Sequence, residues 1–367
     1  MQNYNNQEAL LAFIRAGLWA DIEFADFQKH GILDSVEWTE AYRLATEQSV
    51  LGLVLAGIEH FDVKPPQELL LQWIGEVQIL EQQNKAMNDF IAELIEKLRE
   101  ADIYTLLVKG QGIAQCYERP LWRACGDVDL LLSADNYEKA KAFLTPIAGH
   151  VDPEDISIKH LGMTMGEWIV ELHGTMHTEI SRRVNKGIDK IQDDLFYGGN
   201  VRSWNNNGTT VFLPSPDDDV ILVFTHILEH FFVEGVGLRQ VCDWCRLLWT
   251  YKDSLNYELL EKRIRKMGLM TEWKAFGALA VNALGMPQEA MPMYESRFSI
   301  RGRRVLSRIL KSGNMGHNND LSYRAKYSGL TYKFVALWRR IKDFAGLTMI
   351  FPIDAPKFFV HYVFRKI

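Results

Sequence analysis

Over the first 100 residues, and again beyond residue 215, apolar residues recur at steps of three and four, the period of an amphipathic helix. Gly235 and Gly237 interrupt the second of these regions. Ser215 followed by Pro216 has the residue types of a helix N-cap and first helical position. The helices predicted in this way span Glu8–Ala16, Trp38–Glu47, about Pro66 to Glu100, Pro216 to about Glu234, and Leu238 to about Tyr251.

The part of the chain from residue 103 to residue 213 has a different pattern, with short apolar runs separated by polar turns. We expect a crossover helix over Tyr137–Leu144, and the Asn205–Gly208 cluster is typical of a hairpin turn. The strands predicted here are Tyr104–Val108, Val128–Leu132, Ile156–Ile158, Glu167–Leu172 and Thr209–Leu213.

These elements together predict an α+β fold in which a small mixed β-sheet lies between helical regions. The expected divisions are an N-terminal helical region (1–100), an α/β core (101–214), a C-terminal helical bundle (215–322) and a distinct C-terminal segment (323–367). A ligand would lie between the sheet and the bundle, because interfaces of this kind commonly hold ligands.

Asp127 and Asp129 lead directly into the apolar run Leu130–Leu132. Residues two apart on a strand point to the same face of the sheet, so the two carboxylates lie side by side. The two carboxylates repel each other unless a cation or a proton lies between them. Carboxylate oxygens on a rigid element, together with substrate phosphates, are the ligands that Mg2+ prefers. A D-x-D pair on a solvated strand edge is common by chance, but this pattern indicates a metal site and phosphate chemistry.

Two neighbouring features accompany this pair. Upstream, a predicted strand runs into Lys109–Gly112 and a helical segment, which places free backbone N–H groups where a phosphate can bind. Downstream, Glu171 and His173 share one face of a short strand. If that strand lies beside the first one, Glu171 supplies a third carboxylate. Each feature alone has a simpler interpretation. Lys109–Gly112 can be a plain turn, and Glu171 and His173 can belong to the exposed face of an edge strand.

The order of these motifs resembles that of the nucleotidyltransferase superfamily, which includes DNA polymerase beta and the aminoglycoside nucleotidyltransferases. A closer likeness is to a bacterial family of uncharacterised nucleotidyltransferases, and it covers about residues 35 to 290. The motifs that carry the resemblance are Leu107-Val108-Lys109-Gly110, Arg123 before Gly126-Asp127-Val128-Asp129-Leu130-Leu131, Glu171-Leu172-His173, and Leu238-Arg239-Gln240-Val241-Cys242-Asp243-Trp244.

The resemblance implies transfer of a nucleoside monophosphate from a nucleoside triphosphate, such as ATP, to a hydroxyl of a small-molecule or protein acceptor. It implies that Asp127, Asp129 and Glu171 bind two Mg2+ (or Mn2+) ions, or that Glu171 serves as the base. We expect His173 to hydrogen-bond a carboxylate ligand and hold its orientation. Direct ligation of the metal, acceptance of the acceptor's proton, and a plain strand-edge role are its alternatives.

The resemblance also implies a nucleotide-binding set. Lys109 and Arg123 would neutralise triphosphate charge, with a surface ion pair as the alternative role of Arg123. Arg239 and Asp243 lie one helical turn apart, and their shared face either meets the nucleotide or only makes an intrahelical ion pair. The expected nucleotide-binding residues are Lys109, Gly110, Gln111, Arg123, Arg239 and Asp243.

Two features supply other hypotheses. The superfamily has a small residue after the turn glycine, where the backbone approaches the triphosphate, whereas this chain has Gln111. A catalytically silent nucleotide-binding or scaffold protein on the same fold is therefore a second hypothesis. His226, Glu229 and His230 match H-x-x-E-H, which places two histidines one helical turn apart, so a zinc hydrolase is a remote third.

The composition is that of an ordinary globular enzyme, with 47% hydrophobic and 24% charged residues among 367. The net charge of −6 argues against an extensive nucleic-acid surface, which favours a small-molecule or protein acceptor. We find no signal-peptide pattern and no apolar run long enough to span a membrane, so we expect a cytoplasmic protein. The four cysteines are too sparse for a disulfide framework, and we expect reduced thiols.

The C-terminal segment from Tyr323 to Ile367 interleaves basic with aromatic residues and contains few acids. Segments of this kind can bind an anionic membrane surface or a partner protein. We expect the commoner arrangement, in which they pack on their own domain, and keep peripheral membrane or protein contact as the alternative. The residues concerned are Arg324, Lys326, Lys333, Arg339, Arg340, Lys342, Lys357, Arg365 and Lys366, with Phe334, Trp338, Phe344, Phe351, Phe358, Phe359, Tyr362 and Phe364.

Overall fold

The structure, a computed structural model, describes residues 2–19, 36–316, 318 and 329–366. Its elements, in chain order, are α1 (Gln2–Leu18), α2 (Trp38–Glu47), α3 (Leu51–Ile58), α4 (Gln67–Glu100), β1 (Leu106–Val108), α5 (Gly110–Ala114), β2 (Asp127–Leu131), α6 (Ala134–Leu144), β3 (His150–Val151), β4 (His160–Met165), β5 (Trp168–His173), α7 (Arg182–Tyr197), β6 (Val201–Asn206), β7 (Thr209–Pro214), α8 (Pro216–Val233), α9 (Leu238–Thr250), α10 (Tyr257–Met267), α11 (Met270–Asn282), α12 (Ser299–Ser312), α13 (Gly329–Thr348) and α14 (Asp354–Lys366). Short 3₁₀ helices lie at Pro120–Trp122, Thr145–Ile147, Gln288–Ala290, Ser296–Phe298 and Asn314–Gly316.

The predicted helices are confirmed as α1, α2, α4, α8 and α9, and the predicted crossover helix as α6. The Ser215 hydroxyl caps α8 by accepting a hydrogen bond from the backbone N–H of Asp218 at 3.3 Å. Helix α3 was not predicted, because buried residues lie all around it and leave no amphipathic period. The α+β fold is therefore the one that the sequence predicts.

Strand β2 pairs antiparallel with β1 and parallel with β5, and the strand order is β1-β2-β5-β4-β3. The sheet is mixed, as predicted. In the register of β2 and β5, Asp129 lies directly opposite Glu171. The strand that carries Glu171 is therefore the neighbour of the strand that carries the two aspartates.

The prediction of a strand at Ile156–Ile158 is wrong. Ile156 is 80% exposed, and both the N–H and the hydroxyl of Ser157 donate to Asp155 Oδ1 in a local turn. The strand begins instead at His160. Because β4 contains a glycine and two methionines in place of a β-branched run, its sequence gives little strand signal.

The hairpin predicted at Asn205–Gly208 is confirmed, and it joins β6 to β7. Asn207 has φ of 52° and Gly208 has φ of 93°, and two residues with positive φ are what a type I′ turn requires. The Asn206 side-chain amide donates to the Asn88 carbonyl in α4 at 2.7 Å. The hairpin is thereby fixed against α4, and β7 packs beside β1.

Buried apolar residues form two clusters, one among the N-terminal and C-terminal helices and one between α4, the sheet and α6. Val128 and Leu130 belong to the second cluster, whereas Leu131 belongs to the first. Alternate residues of β2 therefore face opposite clusters. Asp127 and Asp129 share a side with Leu131, so they face the cluster formed by the helices.

The C-terminal segment is partly packed on this helical cluster, through Phe344, Phe351 and Phe358. Trp338, in contrast, is 70% exposed. None of the described helices is long and apolar enough to cross a membrane. For some of the basic and aromatic residues of this segment, the structure does not describe the residue or, in the helices, does not describe its side chain. These are Arg324, Lys326, Lys333, Phe334, Phe364, Arg365 and Lys366.

The four cysteines are free thiols, as predicted, and Cys116, Cys242 and Cys245 are buried. Burial raises the pKa of the Cys116 thiol to about 11, which keeps it protonated at neutral pH. In the described part of the chain, Cys242 and Cys245 belong to no group of metal-ligating side chains. These thiols are structural core residues.

Candidate metal and nucleotide site

Three carboxylates converge on the face of the sheet that is turned toward the helices. Asp127 and Asp129 come from alternate positions of β2, and Glu171 comes from the position of β5 opposite Asp129. One carboxylate oxygen from each residue lies within 4.8 Å of the others. Asp129 is 2% exposed, whereas Asp127 and Glu171 are half-buried. Oxygen donors this close together suit a divalent cation such as Mg2+.

The protonation of these acids is set by their surroundings. The Asp129 carboxylate, and then burial, raise the pKa of Asp127 above its ordinary value. Burial also favours neutral Asp129, but Lys109 and His173 outweigh it and lower the pKa of Asp129. Burial likewise opposes ionisation of Glu171, yet hydrogen bonds from two histidines lower its pKa. Asp129 and Glu171 are therefore ionised at neutral pH and favour a cation beside them.

Lys109 lies at the turn between β1 and α5, where the chain leaves the sheet. Lys109 and Gly110 have φ of 58° and 42°, so the turn uses the left-handed region twice, and glycine is the residue best suited to it. Lys109 Nζ lies 2.7 Å from Asp129 Oδ1. Burial alone would lower the pKa of Lys109, but the neighbouring carboxylates raise it by more than burial lowers it. The net effect is a raised pKa, so the ammonium stays charged. The turn thus places a cation at the acids.

His173 also contacts this carboxylate trio. Its Nε2 lies 2.8 Å from Asp129 Oδ1 and 3.4 Å from Glu171 Oε2. His160, which the sequence analysis did not single out, lies opposite His173 in β4, with Nε2 at 3.2 Å from Glu171 Oε2. β4 and β5 form a hairpin with its turn at Gly166 and Glu167, and His160 was missed because β4 gives little strand signal.

Arg123 and Asp243 form a buried bidentate ion pair, with Nη2–Oδ2 at 2.6 Å and Nε–Oδ1 at 3.0 Å. The Tyr117 hydroxyl donates to Asp243 Oδ1 at 2.8 Å. Arg239, one turn before Asp243 in α9, donates through Nη1 to the Ala124 carbonyl at 2.8 Å. Asp243 therefore pairs with Arg123, and the possible intrahelical pair with Arg239 is not among the ion pairs of the described residues.

The Gln111 side chain is fully buried. Its amide donates to Asn84 Oδ1 at 2.7 Å, and the Asn84 amide donates to the carbonyls of Leu121 and Arg123. This network ties the turn after β1 to helix α4. The structure thus places the Gln111 side chain in the interior and outside the cavity wall described below.

A cavity of about 410 Å³ lies between the sheet and helices α8 and α9. This volume is within the range of small-molecule sites. Most of the predicted site residues line it, and they therefore share one enclosed space. These residues are Lys109, Gly110, Arg123, Asp127, Asp129, Glu171, His173, Arg239 and Asp243.

The H-x-x-E-H residues His226, Glu229 and His230 line the same cavity from helix α8. The Glu179 N–H donates to Glu229 Oε1 at 2.7 Å, and His230 Nδ1 lies 3.1 Å from Glu234 Oε2. Among the residues described, no group of three ligand atoms suited to one ion includes these side chains. The geometry does not support a zinc hydrolase.

Comparison with known proteins identifies the family. The profile of a family described as uncharacterised nucleotidyltransferase matches residues 34–285. No curated protein sequence matches the chain. Among solved structures, an antigenic nucleotidyltransferase-like protein from Paracoccidioides brasiliensis is similar at 15% identity, with a TM-score of 0.33, over 54% of this chain and 92% of that chain. From the sequence match, which covers more than half of its length, the chain belongs to the family of uncharacterised nucleotidyltransferases.

Proposed function

We propose that the protein is a metal-dependent nucleotidyltransferase that moves a nucleoside monophosphate from a nucleoside triphosphate to a hydroxyl of a small molecule or protein. The observation that carries the proposal is the convergence of Asp127, Asp129 and Glu171 on one cavity beside Lys109. Membership in the family supports the same class of reaction.

The donor set of this site fits the metal that the reaction requires. Asp127, Asp129 and Glu171 offer carboxylate oxygens within 4.8 Å of one another, and oxygen is the donor that Mg2+ and Mn2+ favour. These three residues would hold the ions. When bound, two such ions would stabilise the attacking and leaving oxygens of an in-line displacement and lower the pKa of the acceptor hydroxyl.

The positive groups of the cavity are suited to a triphosphate. Lys109 supplies a charged ammonium at the rim of the acid trio. Arg123 Nη1 and Arg239 Nε are buried and, within the described residues, have no hydrogen-bond partner. Buried guanidinium N–H groups are costly when unpaired, and charge-assisted hydrogen bonds to phosphate would satisfy them. We assign Lys109, Arg123 and Arg239 to the phosphates and Asp243 to the orientation of Arg123.

We assign Glu171 to metal binding rather than to general base catalysis. Its lowered pKa makes its carboxylate a weaker base than an ordinary glutamate. His173 Nε2 lies 2.8 Å from Asp129 Oδ1, and this contact supports our assignment of His173 to the orientation of that carboxylate. The acceptor would enter the same cavity, whose remaining wall comes from helix α8 and from residues 175–178 after β5.

Labelled nucleotide provides the test of the proposal. The protein would be incubated with Mg2+ and either α-phosphate-labelled or γ-phosphate-labelled nucleoside triphosphates, in the presence of a panel of hydroxyl acceptors and of protein extract. We expect label from the α-phosphate, but none from the γ-phosphate, to enter an acceptor while pyrophosphate is released. Asp127→Asn should abolish this incorporation, and turnover that persists in the variant would remove Asp127 from the metal site.

A second candidate function, nucleotide binding without transfer, is favoured by the contacts of Asp129. Lys109 Nζ and His173 Nε2 both lie close to Asp129 Oδ1, so these two groups can balance the carboxylate without an ion. In that case, nucleotide would bind with no dependence on Mg2+, and no α-phosphate label would enter any acceptor. Nucleotide titrations with and without a chelator therefore separate the two functions.

A further inference from the structure

A second group of ligand atoms adjoins the carboxylate trio. It consists of His160 from β4 with Glu171 and His173 from β5. His160 and His173 are direct cross-strand partners, and their ring centroids are 4.9 Å apart. All three side chains line the cavity, and that of His160 is 31% exposed. An ion in the cavity could therefore reach these atoms without displacing the sheet.

The spacing of these atoms matches a coordination site. His160 Nε2 lies 3.2 Å from Glu171 Oε2, and His173 Nε2 lies 3.4 Å from the same oxygen. Two donors that bind one tetrahedral ion at about 2.1 Å each are separated by about 3.4 Å. The three protein donors would leave one further position for a solvent or substrate oxygen, as in catalytic sites.

We propose that His160, Glu171 and His173 form a binding site for a divalent transition-metal ion, such as Zn2+ or Co2+, next to the acid trio. Imidazole nitrogen is a favoured donor for these ions, whereas Mg2+ favours oxygen. Two histidines and one carboxylate are a donor set that discriminates against Mg2+. Within this cavity, the site differs from the three-carboxylate group in donor type and shares only Glu171 with it.

This inference deepens the proposed function and rests on it only through the shared Glu171. A carboxylate can bridge two ions with one oxygen each, and Oε2 is the oxygen that faces both imidazoles. His173 Nε2 either carries a proton, which it donates to the Asp129 carboxylate, or offers a lone pair to the ion, and it cannot do both at once. Loading of the site would therefore replace the contact between His173 and Asp129 with a metal bond, while Lys109 stays close to the Asp129 carboxylate.

The test is metal binding by the 367-residue protein after treatment with a chelator. Zn2+ would be titrated calorimetrically into the wild type, His160→Gln and His150→Gln. His150 is an exposed histidine on the same sheet and serves as the matched control. We expect the affinity for Zn2+ to fall at least about tenfold in His160→Gln, because loss of even an indirect partner of a ligand costs that much. His150→Gln should bind Zn2+ as the wild type does.

Equal Zn2+ affinity in the wild type and in His160→Gln would overturn the proposal. X-ray absorption spectroscopy of the zinc-loaded wild type needs no variant to fold, and it should show two imidazole nitrogens bound to the ion. An all-oxygen coordination shell would also overturn the proposal. Asp127→Asn distinguishes this site from the proposed function, because it should abolish α-phosphate transfer yet reduce Zn2+ affinity less than His160→Gln does.

Discussion

Arg123 and Asp243 lie 120 residues apart in the sequence, yet they form a buried bidentate ion pair that joins the segment before β2 to helix α9. Asp243 also accepts a hydrogen bond from Tyr117. The pair fixes the cavity wall contributed by the helices against the strand that carries the aspartates. The geometry of the site therefore depends on a contact between two regions that the sequence analysis assigned to separate domains.

This pair predicts a large loss of stability when one partner is removed. In Asp243→Asn, a buried guanidinium loses its counter-charge, and the free energy of unfolding should fall by about 3–5 kcal/mol. Urea denaturation would measure the change. As a control, Arg43→Ala removes an exposed arginine that pairs with Glu40 at 2.6 Å, and the expected change is at most about 1 kcal/mol. Similar changes in both variants would contradict the account.

The Gln111 network predicts a structural role for this residue. In Gln111→Met, the Asn84 oxygen loses its buried donor, so the free energy of unfolding should fall by about 1–3 kcal/mol. Nucleotide affinity should fall less than in Lys109→Ala, because Lys109 lines the cavity and the Gln111 side chain does not. Calorimetric titration of a non-hydrolysable nucleotide gives both affinities, and a greater loss in Gln111→Met would return its side chain to the nucleotide site.

His173 offers a test of how Asp129 is oriented. His173→Ala removes the 2.8 Å contact to Asp129 and should weaken Mg2+-dependent nucleotide binding. Glutamine keeps a hydrogen-bonding group, so His173→Gln should largely preserve this binding while it removes an imidazole donor for Zn2+. Fluorescent nucleotide titrations in Mg2+ would compare the variants. Wild-type affinity in both would show that the contact has no role in nucleotide binding.

The burial of Glu272, which is not among the residues that line the cavity, predicts that the stability of the protein depends on pH. Glu272 is fully buried in the first turn of α11, and burial together with the Asp354 carboxyl raises its pKa well above the ordinary 4.5. Between the unfolded-state pKa and the higher folded-state pKa, Glu272 is protonated in the folded protein but ionised in the unfolded chain. The free energy of unfolding therefore falls as the pH rises from the unfolded-state pKa to the folded-state pKa. This loss amounts to about 1.4 kcal/mol for each pH unit between the two values.

Glu272→Gln removes this ionisation while it keeps the shape of the side chain. The variant should therefore be more stable than the wild type at pH 8, with a difference that shrinks as the pH falls toward 5. Thermal unfolding across this range gives the comparison. A stability difference that is the same at every pH would show that Glu272 is not the group responsible.

Local pattern predicted much of the site, because a strand's period of two decides which side chains share a face. Asp127, Asp129, Glu171 and His173 followed from this rule once β2 and β5 proved to be neighbours. The pairing of the two strands required tertiary structure. For the same reason, the sequence did not reveal Arg123 as the partner of Asp243. His160 was missed because β4, the other strand of its hairpin with β5, was not recognised as a strand.

The prediction of a strand at Ile156–Ile158 failed for a local reason. Isoleucines at 156 and 158 have high strand propensity, but the Asp155 turn and the exposure of Ile156 show that side-chain hydrogen bonding outweighs it there. The H-x-x-E-H residues lie in the cavity wall, but among the described residues they form no group of three ligand atoms for one ion. Glu229 is held by the Glu179 amide, a contact between elements that no five-residue pattern contains.

The central claim is that Asp127, Asp129 and Glu171 hold the metal that binds the nucleotide. The most direct test is a crystal structure of the wild type with Mn2+ and a non-hydrolysable nucleoside triphosphate, in which anomalous scattering locates the metal. We predict a manganese peak between Asp127 and Asp129, in contact with triphosphate oxygens and with Lys109 close by. A bound triphosphate with no manganese at these two aspartates would contradict the account.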